Sequence, residues 1–492
     1  MINKNKFSIF SILLGIIIGF GLVSTVSAAD LSNTYAKNVG GNGVDVALAS
    51  VVDTAGNTYI TGYFEGTADF DPSSTVRGYT SKGAGDVFIQ KVNSSGNLVW
   101  VRRIGGTSDE HGNAISLDTD GNVYITGYFN GTADFDPGEP TVNLSTSSGA
   151  NAFVLKLDSN GRYVWAKNMG GNSWTVGNSI AVDANGNVYT KGLFAGTADF
   201  DPGAGTANMT APGGQTYLDQ VYISKLDASG NYVWAKNFGG NLWDTGYSLV
   251  LDSNANIYST GYFEGTADFD PSANTANLTS AGSDDIYVLK LDTDANYVWA
   301  KKMGGSGSDV GTGLQLDSND NVIISGYFNG TADFDPSANT ANLTSAGGKD
   351  VFVAKLDSNG NYVWSKNMGG SGDDLTSANA VSIDANDNIY TSGYFNGTAD
   401  FDPSANTANL TSAGAKDVFI SVIDNSGNYI AAVGIGSTGD DQANSINIDS
   451  SNNVYIAGQF EGTVDFAPGA TTRNLTSNGG KDIFFAKFDL VQ

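Results

Sequence analysis

The chain has 492 residues, no cysteine, and 51 acidic against 24 basic side chains, which gives a formal net charge of −27. This acidity argues against binding to nucleic acid or to an anionic membrane through bulk charge. The lack of cysteine excludes disulfides, thiol chemistry and a lipid-anchored cysteine, so stability must come from a large core. Nearly all of the acids are Asp, the residue favoured in turns and in calcium sites.

Residues 1–29 have the pattern of a secretory signal peptide. Lys4 and Lys6 precede an apolar run from Phe7 to Val23, and small residues follow, which predicts cleavage just before Ala29 or Asp30. The alternative is an uncleaved anchor helix, which usually needs a longer apolar run. No second hydrophobic segment follows in the sequence. We therefore expect a mature chain that is secreted or held at the cell surface, without membrane insertion after cleavage.

One phrase recurs along the chain at a nearly constant interval. It reads Gly-Tyr-Phe-Glu-Gly-Thr-Ala-Asp-Phe-Asp-Pro at its first occurrence, which begins at Gly62. Copies with small changes begin at Gly127, Gly192, Gly261, Gly326, Gly393 and Gly458. Self-similarity at a fixed period is the signature of a repeat architecture. The sequence therefore predicts seven copies of one structural unit of about 65 residues.

Each copy shows four segments in which apolar and polar side chains alternate, as they do in half-buried strands. Clean examples are strand A at 380–383, strand B at 389–395, strand C at 351–356 and strand D at 362–368. Turns rich in Asp, Asn and Gly join A to B and C to D. The predicted fold class is all-β, a seven-bladed β-propeller of four-stranded antiparallel blades that occupies residues 31–492 as one domain.

The two ends of the chain predict how the ring closes. Strand C occurs seven times, but strand D follows it only six times, and the missing copy stands at the amino terminus. Residues 35–41 match residues 364–370, so the amino-terminal strand is predicted to complete the last blade. This arrangement would remove the open sheet edge that invites aggregation.

The motifs GTADFDP, DVFVAKLD, GNYVW and KNMGG resemble the bacterial beta-propeller repeat proteins known as SBBP-repeat proteins. The resemblance covers nearly all of the mature chain. It implies a propeller at a cell exterior, and it implies no general activity for the family.

The long loop between strands B and C carries a repeated Asp-x-Asp pair. One interpretation is a Ca²⁺ site in each blade, and calcium is the only cofactor we consider. The other is that each Asp caps a turn by accepting backbone N–H groups. A separate segment, 118–122, looks like the start of an EF-hand loop but has Gly in the wrong position and no terminal Glu. The candidate calcium ligands are Asp69, Asp71, Asp134, Asp136, Asp199, Asp201, Asp268, Asp270, Asp333, Asp335, Asp400 and Asp402.

The sequence does not favour an enzyme. His111 is the only histidine, and no Ser-His-Asp arrangement can be assigned. A glycosidase that uses two carboxylates is the alternative, because acids occur throughout the chain. A catalytic site is usually unique, however, whereas these acids are equivalent in every copy. We therefore predict a protein without catalytic activity.

Departures from the repeat converge on the loops that enter the second to fourth blades. Trp174 and Trp243 stand where other copies carry Gly or Asp, and the interval of 69 residues reveals an insertion around Tyr217 and Asp219. Glu110 and His111 mark the loop that leads into the second blade. These six residues are predicted to bind a ligand on the face that carries the B–C and D–A loops. Drift is the alternative, because loops tolerate insertions.

Together these patterns favour a monomeric interaction, adhesion or surface-structural scaffold whose partner is an extracellular protein or glycan. The alternative is a lectin-like glycan-binding module, assisted by calcium. A lectin would most simply repeat an aromatic and polar arrangement on several blades, whereas a protein-binding propeller would use one irregular sector.

Overall fold

The computed structural model of the protein describes residues 30–467 and 471–491, so the predicted signal peptide at 1–29 lies outside the described residues. The described residues form 34 β-strands and one 3₁₀ turn, Pro212–Gly214. The all-β prediction is confirmed. Within the same ranges, no helix has the length and apolar character needed to cross a membrane.

The strands fall into seven units of four, which we call units 1 to 7, with strands A to D in each. The A strands are β2 (Asp45–Val52), β6 (Glu110–Leu117), β10 (Thr175–Val182), β16 (Asp244–Leu251), β20 (Val310–Leu316), β24 (Leu375–Ile383) and β30 (Gln442–Ile448). The B strands are β3 (Thr58–Asp69), β7 (Val123–Asp134), β11 (Val188–Phe194) with β12 (Thr197–Asp199), β17 (Ile257–Asp268), β21 (Val322–Asp333), β25 (Ile389–Phe395) with β26 (Thr398–Asp400), and β31 (Asn453–Phe460) with β32 (Thr463–Asp465).

The C and D strands complete each unit. The C strands are β4 (Gly78–Val92), β8 (Asn143–Leu157), β13 (Asn208–Thr210) with β14 (Gln220–Leu226), β18 (Asn277–Leu291), β22 (Asn342–Leu356), β27 (Asn409–Thr411) with β28 (Asp417–Ile423), and β33 (Asn474–Thr476) with β34 (Asp482–Val491). The D strands are β5 (Leu98–Gly106), β9 (Tyr163–Gly171), β15 (Tyr232–Gly240), β19 (Tyr297–Gly305), β23 (Tyr362–Gly370), β29 (Tyr429–Ile435) and, for unit 7, β1 (Asp30–Gly41).

The A–B and C–D turns account for much of the Asp content. Asp384 is typical: its Oδ1 accepts hydrogen bonds from the backbone N–H groups of Asn386 at 2.8 Å and Asn388 at 2.9 Å. An Asp that accepts backbone N–H groups two and four positions ahead holds the chain in a tight turn. The segment that resembles an EF-hand, 118–122, is a turn of this kind between β6 and β7.

The B–C segment is more regular than the predicted loop. In unit 5 strand B continues to Asp333, which pairs with Asn342, and Ala332 pairs with Leu343. Strand C therefore begins at Asn342 and not at residue 351, and strand A of unit 6 begins at Leu375 and not at residue 380. The added ladder forms because Ala332 and Phe334 turn into the core while the neighbouring polar groups stay outside.

At six of the seven joints, a short hydrogen-bonded ladder at the end of strand D connects consecutive units, whereas units 6 and 7 are connected by an isolated bridge between Lys416 and Asp440. At the joint between units 5 and 6, Gly369 pairs with Asp400 and Gly370 pairs with Ala399. The amino-terminal strand β1 forms the same ladder with unit 1 and also pairs along its length with β34. It is thus bonded to both the first and the last unit. All ladders together connect the strands into sheets of 18, 14 and 2 strands.

The hydrophobic core lies within and between neighbouring units. In unit 6, Phe401 is fully buried, with its ring centroid 5.6 Å from Phe395 and 4.9 Å from Phe419. Trp364 of unit 5 donates its indole N–H to Asn425 O in the C–D turn of unit 6, at 3.1 Å. Trp100 and Trp299 make the equivalent bond to the following unit. These strand-D tryptophans therefore pack between units.

Candidate functional site

The A strands surround a central cavity. They contact one another in the cyclic order β2, β6, β10, β16, β20, β24, β30 and back to β2. The cavity between them has a volume of about 300 Å³ and is lined by A-strand residues from all seven units. Small polar side chains contribute much of the lining, including Ser50, Ser116, Ser179, Ser248 and Asn447.

A second cavity, of about 260 Å³, is lined by residues at the points where the A–B ladders shift register. Asn113, Asn178 and Asn444 stand at these bulges. Each donates its side-chain amide to a backbone carbonyl of the next A strand, as Asn113 does to Gly177 O at 2.9 Å. These amides connect the A strands to one another, so their donors are already used within the fold.

Tyrosines stand at equivalent positions in five B strands, directly after the glycine that begins the repeated phrase. They are half-buried, and burial raises the pKa of each phenol. Lysine ammonium groups lie over two of the rings, 4.6 Å from the centroid in one case and 4.2 Å in the other. The five are Tyr63, Tyr128, Tyr262, Tyr327 and Tyr394. The sequence did not single out these tyrosines as site residues, because they belong to the regular repeat and only departures from the repeat stood out.

His111 lies between two of these tyrosines. Its ring stacks on Tyr63, with centroids 3.8 Å apart and 7° between the planes, and its centroid is 4.8 Å from that of Tyr128. Asp109 Oδ1 is 3.2 Å from His111 Nε2, and Asp109 Oδ2 accepts the Tyr128 hydroxyl at 3.1 Å. Burial lowers the pKa of His111 despite the neighbouring carboxylate. The imidazole is thus held in place by aromatic contact.

The aromatic departures from the repeat differ in accessibility. Trp243 is 42% exposed and Tyr217 is 63% exposed, and Leu242 beside Trp243 is 46% exposed. Trp174 is half-buried and packs against the core between units 3 and 4. Other units have a glycine at the position of Tyr217. In those units, the glycine lies against the D–A loop that leads into the next unit. Tyr217, in the B–C segment of unit 3, and Leu242 and Trp243, in the D–A loop that leads into unit 4, are thus three exposed apolar side chains, here called the exposed apolar group.

The two predicted acids of this site are buried. Glu110 Oε2 accepts the Gly106 N–H at 2.9 Å, and burial raises its pKa to about 7. Burial likewise raises the pKa of Asp219 to about 7. Glu110 belongs to a position that is acidic in six of the seven units and supports the D-strand end. The hydrogen bond from Gly106 to Glu110 therefore stabilises the end of strand D in unit 1.

The Asp-x-Asp acids of the B–C segment accept backbone hydrogen bonds. Asp400 Oδ1 accepts the N–H groups of Asp402 at 3.0 Å and Ala408 at 2.8 Å, and Asp402 Oδ1 accepts that of Ser404 at 2.9 Å. Across residues 30–467 and 471–491, no three acidic or histidine side chains come together in a group that could hold a metal ion. Calcium binding by these pairs stays a prediction, with one oxygen of each acid already engaged by the turn.

Residues 99–136 match the family model of the SBBP beta-propeller repeat. This stretch of the chain carries the SBBP repeat. The matched stretch runs from strand D of unit 1 through strands A and B of unit 2, and it includes Glu110 and His111. This match confirms the family resemblance inferred from the sequence, and the phrase that begins at Gly127 within the matched stretch recurs in the other units at the spacing described above.

Two curated relatives are similar over long stretches. An uncharacterized WD repeat-containing protein of Acanthamoeba polyphaga mimivirus is 24% identical over 517 residues, covering 88% of this chain and 36% of that protein. The regulatory protein FlaEY of Caulobacter vibrioides is 26% identical over 340 residues, covering 63% of this chain and 33% of that protein. The chain thus spans about a third of the length of each.

Among solved structures, the Pan2 WD40 domain of Neurospora crassa aligns with 89% of this chain and 88% of its own. The identity is 11% and the TM-score is 0.41. A similarity at this level supports no conclusion about the SBBP-repeat chain, whose own strand pairings define its architecture.

Proposed function

We propose that the protein is a closed, seven-bladed β-propeller, secreted or displayed at the cell surface, that acts as a monomeric binding scaffold without catalytic activity. Each of the seven units would be one blade. The cyclic order of the A strands supports this, and so does β1, which bonds to units 1 and 7. The signal-peptide pattern at 1–29 supports the location.

The binding site proposed for an extracellular protein partner is the exposed apolar group Tyr217, Leu242 and Trp243. This group is the observation on which the proposal rests. Large aromatic side chains are rarely left exposed together in a monomer, and they dominate the energy of many protein interfaces. The group stands on the B–C/D–A face, where the repeat is most irregular.

The test is to capture partners from the native cell surface and to measure their affinity for the double variant Tyr217→Ala, Trp243→Ala. Binding should weaken by more than tenfold, about 1.4 kcal/mol, while the melting temperature stays unchanged. Val298→Ala is the matched control, because Val298 is 47% exposed and follows a C–D turn on the opposite face. Full affinity in the folded double variant would refute this site.

A second candidate function is glycan binding around His111. The observation that favours it is the stack of Tyr63, His111 and Tyr128 beside Asp109, since aromatic faces with a nearby carboxylate suit a sugar ring. A glycan array distinguishes the two functions. Glycan binding that is lost in His111→Ala and kept in the Tyr217, Trp243 variant would favour the lectin over the protein-binding scaffold.

A further inference from the structure

Every joint between consecutive units contains two buried polar side chains, one from the start of strand C and one from the start of the next strand A. At the joint of units 7 and 1, these two side chains approach Gly40 of strand D. A Cβ added to Gly40 would lie 2.8 Å from Asp482 Oδ1 and 2.9 Å from Asp45 Oδ2. The joint pairs, from joint 7–1 onward, are Asp482/Asp45, Asp86/Glu110, Asn151/Thr175, Gln220/Asp244, Asp285/Asp309, Asp350/Asp374 and Asp417/Asp441.

The acids that begin strand C are incompletely hydrogen-bonded. Asp350 Oδ2 accepts the Ala346 N–H at 2.9 Å, whereas its buried Oδ1 has no hydrogen-bond partner within the described residues. In Asp417 and Asp482 too, Oδ2 accepts a backbone N–H group and Oδ1 has no partner within the described residues. In Asp45, Oδ2 accepts the Gly41 N–H and Oδ1 has no partner within the same residues. An unsatisfied buried carboxylate oxygen is costly, and two carboxylates at one joint increase the cost.

Three joints already contain a compensating group from the chain itself, and a fourth carries no charge. At joint 3–4, Gln220 replaces the acid and its Nε2 lies 3.3 Å from Asp244 Oδ2, as a donor. At joint 4–5, the Lys302 ammonium is 3.1 Å from Asp285 Oδ2. At joint 1–2, the Arg103 guanidinium is 3.7 Å from Asp86 Oδ2. Joint 2–3 carries no charge, because its pair is Asn and Thr.

The other three joints, 5–6, 6–7 and 7–1, have two acids each and, within the described residues, no cationic side chain paired with them. At joint 7–1 the Asn478 side-chain amide donates to Asp482 Oδ2 at 3.3 Å, which still leaves Asp482 Oδ1 without a partner there. A lysine precedes the strand-C acid in all three, but its ammonium is directed elsewhere. Lys349 lies over the Tyr327 ring, Lys416 lies over the Tyr394 ring, and Lys481 is 3.9 Å from Asp440. At joint 7–1 burial raises the pKa of Asp482 to about 6, and the neighbouring Asn38, whose amide donates to Thr476 O at 3.2 Å, lowers this pKa only in part.

We propose that joints 5–6, 6–7 and 7–1 each bind one Ca²⁺ ion between their two carboxylates. Two carboxylates match the charge of one divalent cation, and Ca²⁺ accepts irregular sets of oxygen ligands. Backbone carbonyls and water would complete its coordination. These sites are distinct from the predicted Asp-x-Asp sites in the B–C segments, and they do not depend on the partner-binding proposal.

The test uses the full mature chain at pH 8, stripped with a chelator and titrated with Ca²⁺. We expect three bound ions by calorimetry and a melting temperature that rises with free Ca²⁺ by mass action. The decisive variant is Asp350→Gln with Asp417→Gln and Asp482→Gln, because Gln220 shows that the fold accepts an amide at this position. This variant should fold and lose the calcium response.

The matched control is Asp335→Asn with Asp402→Asn, which alters two loop acids and should keep all three ions. Single substitutions at Asp350, Asp417 or Asp482 should each remove one ion, which keeps the test valid if the triple variant fails to fold. Two results would overturn the proposal: no calcium response in the unmodified chain, or an unchanged number of bound ions in the single variants. Either result would mean that a shared proton, and not a calcium ion, neutralises each pair of carboxyl groups.

Discussion

The hydroxyl oxygens of Ser50 and Ser445 are 2.7 Å apart, although 395 residues separate them in the chain. Ser50 belongs to strand A of unit 1 and Ser445 to strand A of unit 7. Asn444 of unit 7 adds a bond to Ala47 O at 2.8 Å, and Asn447 adds one to Ser50 O at 3.0 Å. Side-chain bonds at the centre therefore link the first and last units, as β1 does further out.

Removal of residues 31–41 should destabilise the protein, because β34 would lose one of its two hydrogen-bonded neighbours and expose an apolar edge. We expect a lower melting temperature and concentration-dependent association, measured by calorimetry and light scattering. The control is a chain that begins at Asp30. A shortened chain that melted as a monomer at the control temperature would contradict ring closure.

Stability should fall between pH 5 and pH 8 when calcium is chelated. Burial raises the pKa of Asp45 and Asp350 from an ordinary 3.8 to about 7, with repulsion from the paired carboxylate adding to it. The folded state therefore binds more protons than the unfolded chain above pH 4, and the stabilisation is lost as pH rises through the folded pKa values. Urea unfolding at several pH values measures the slope, which Asp350→Asn should reduce. A flat profile would contradict the raised pKa values.

Phe401→Ala should cost about 3–5 kcal/mol of unfolding free energy, because the ring is fully buried between Phe395 and Phe419. Phe401→Leu leaves a smaller cavity and should cost less. Chemical denaturation compares the two variants with the unmodified chain. Equal stability of all three would mean that the core at this position rearranges to fill the space.

Gly304→Ala should be more harmful than Gly330→Ala. Both glycines have positive φ, 152° and 77°, so both substitutions introduce backbone strain. A Cβ at Gly304 would also lie 2.7 Å from Asp285 Cγ, whereas a Cβ at Gly330 meets no atom within 4 Å. Thermal melting of the two variants tests this difference. Similar losses would show that the joint acids move aside freely.

The sequence predicted the parts of the fold that depend on local pattern. The Asp-rich turns, the four strands per copy and the place of residues 35–41 followed from alternation and from comparing copies. Glu110, which the sequence placed in the loop that leads into the second blade, begins β6 and is fully buried, and the alternation pattern does not reveal this burial. The B–C ladder was overlooked for a similar reason, since Asp333 and Asn342 pair across a turn that the alternation pattern does not reveal.

The pairing of β1 with β34 also has a kinetic consequence. These strands are the first and last of the described residues, so β1 waits for its main partner until β34 has been synthesised, which takes on the order of 25–100 s at the usual elongation rates. Units 1 to 6 have their own strands A to D in sequence and can form earlier through short-range hairpins. Joining the ends is the step with the longest loop to close, and long-range pairings of this kind are slow. Closure is therefore expected to be the last and slowest step of folding, during which unit 7 presents an unpaired strand.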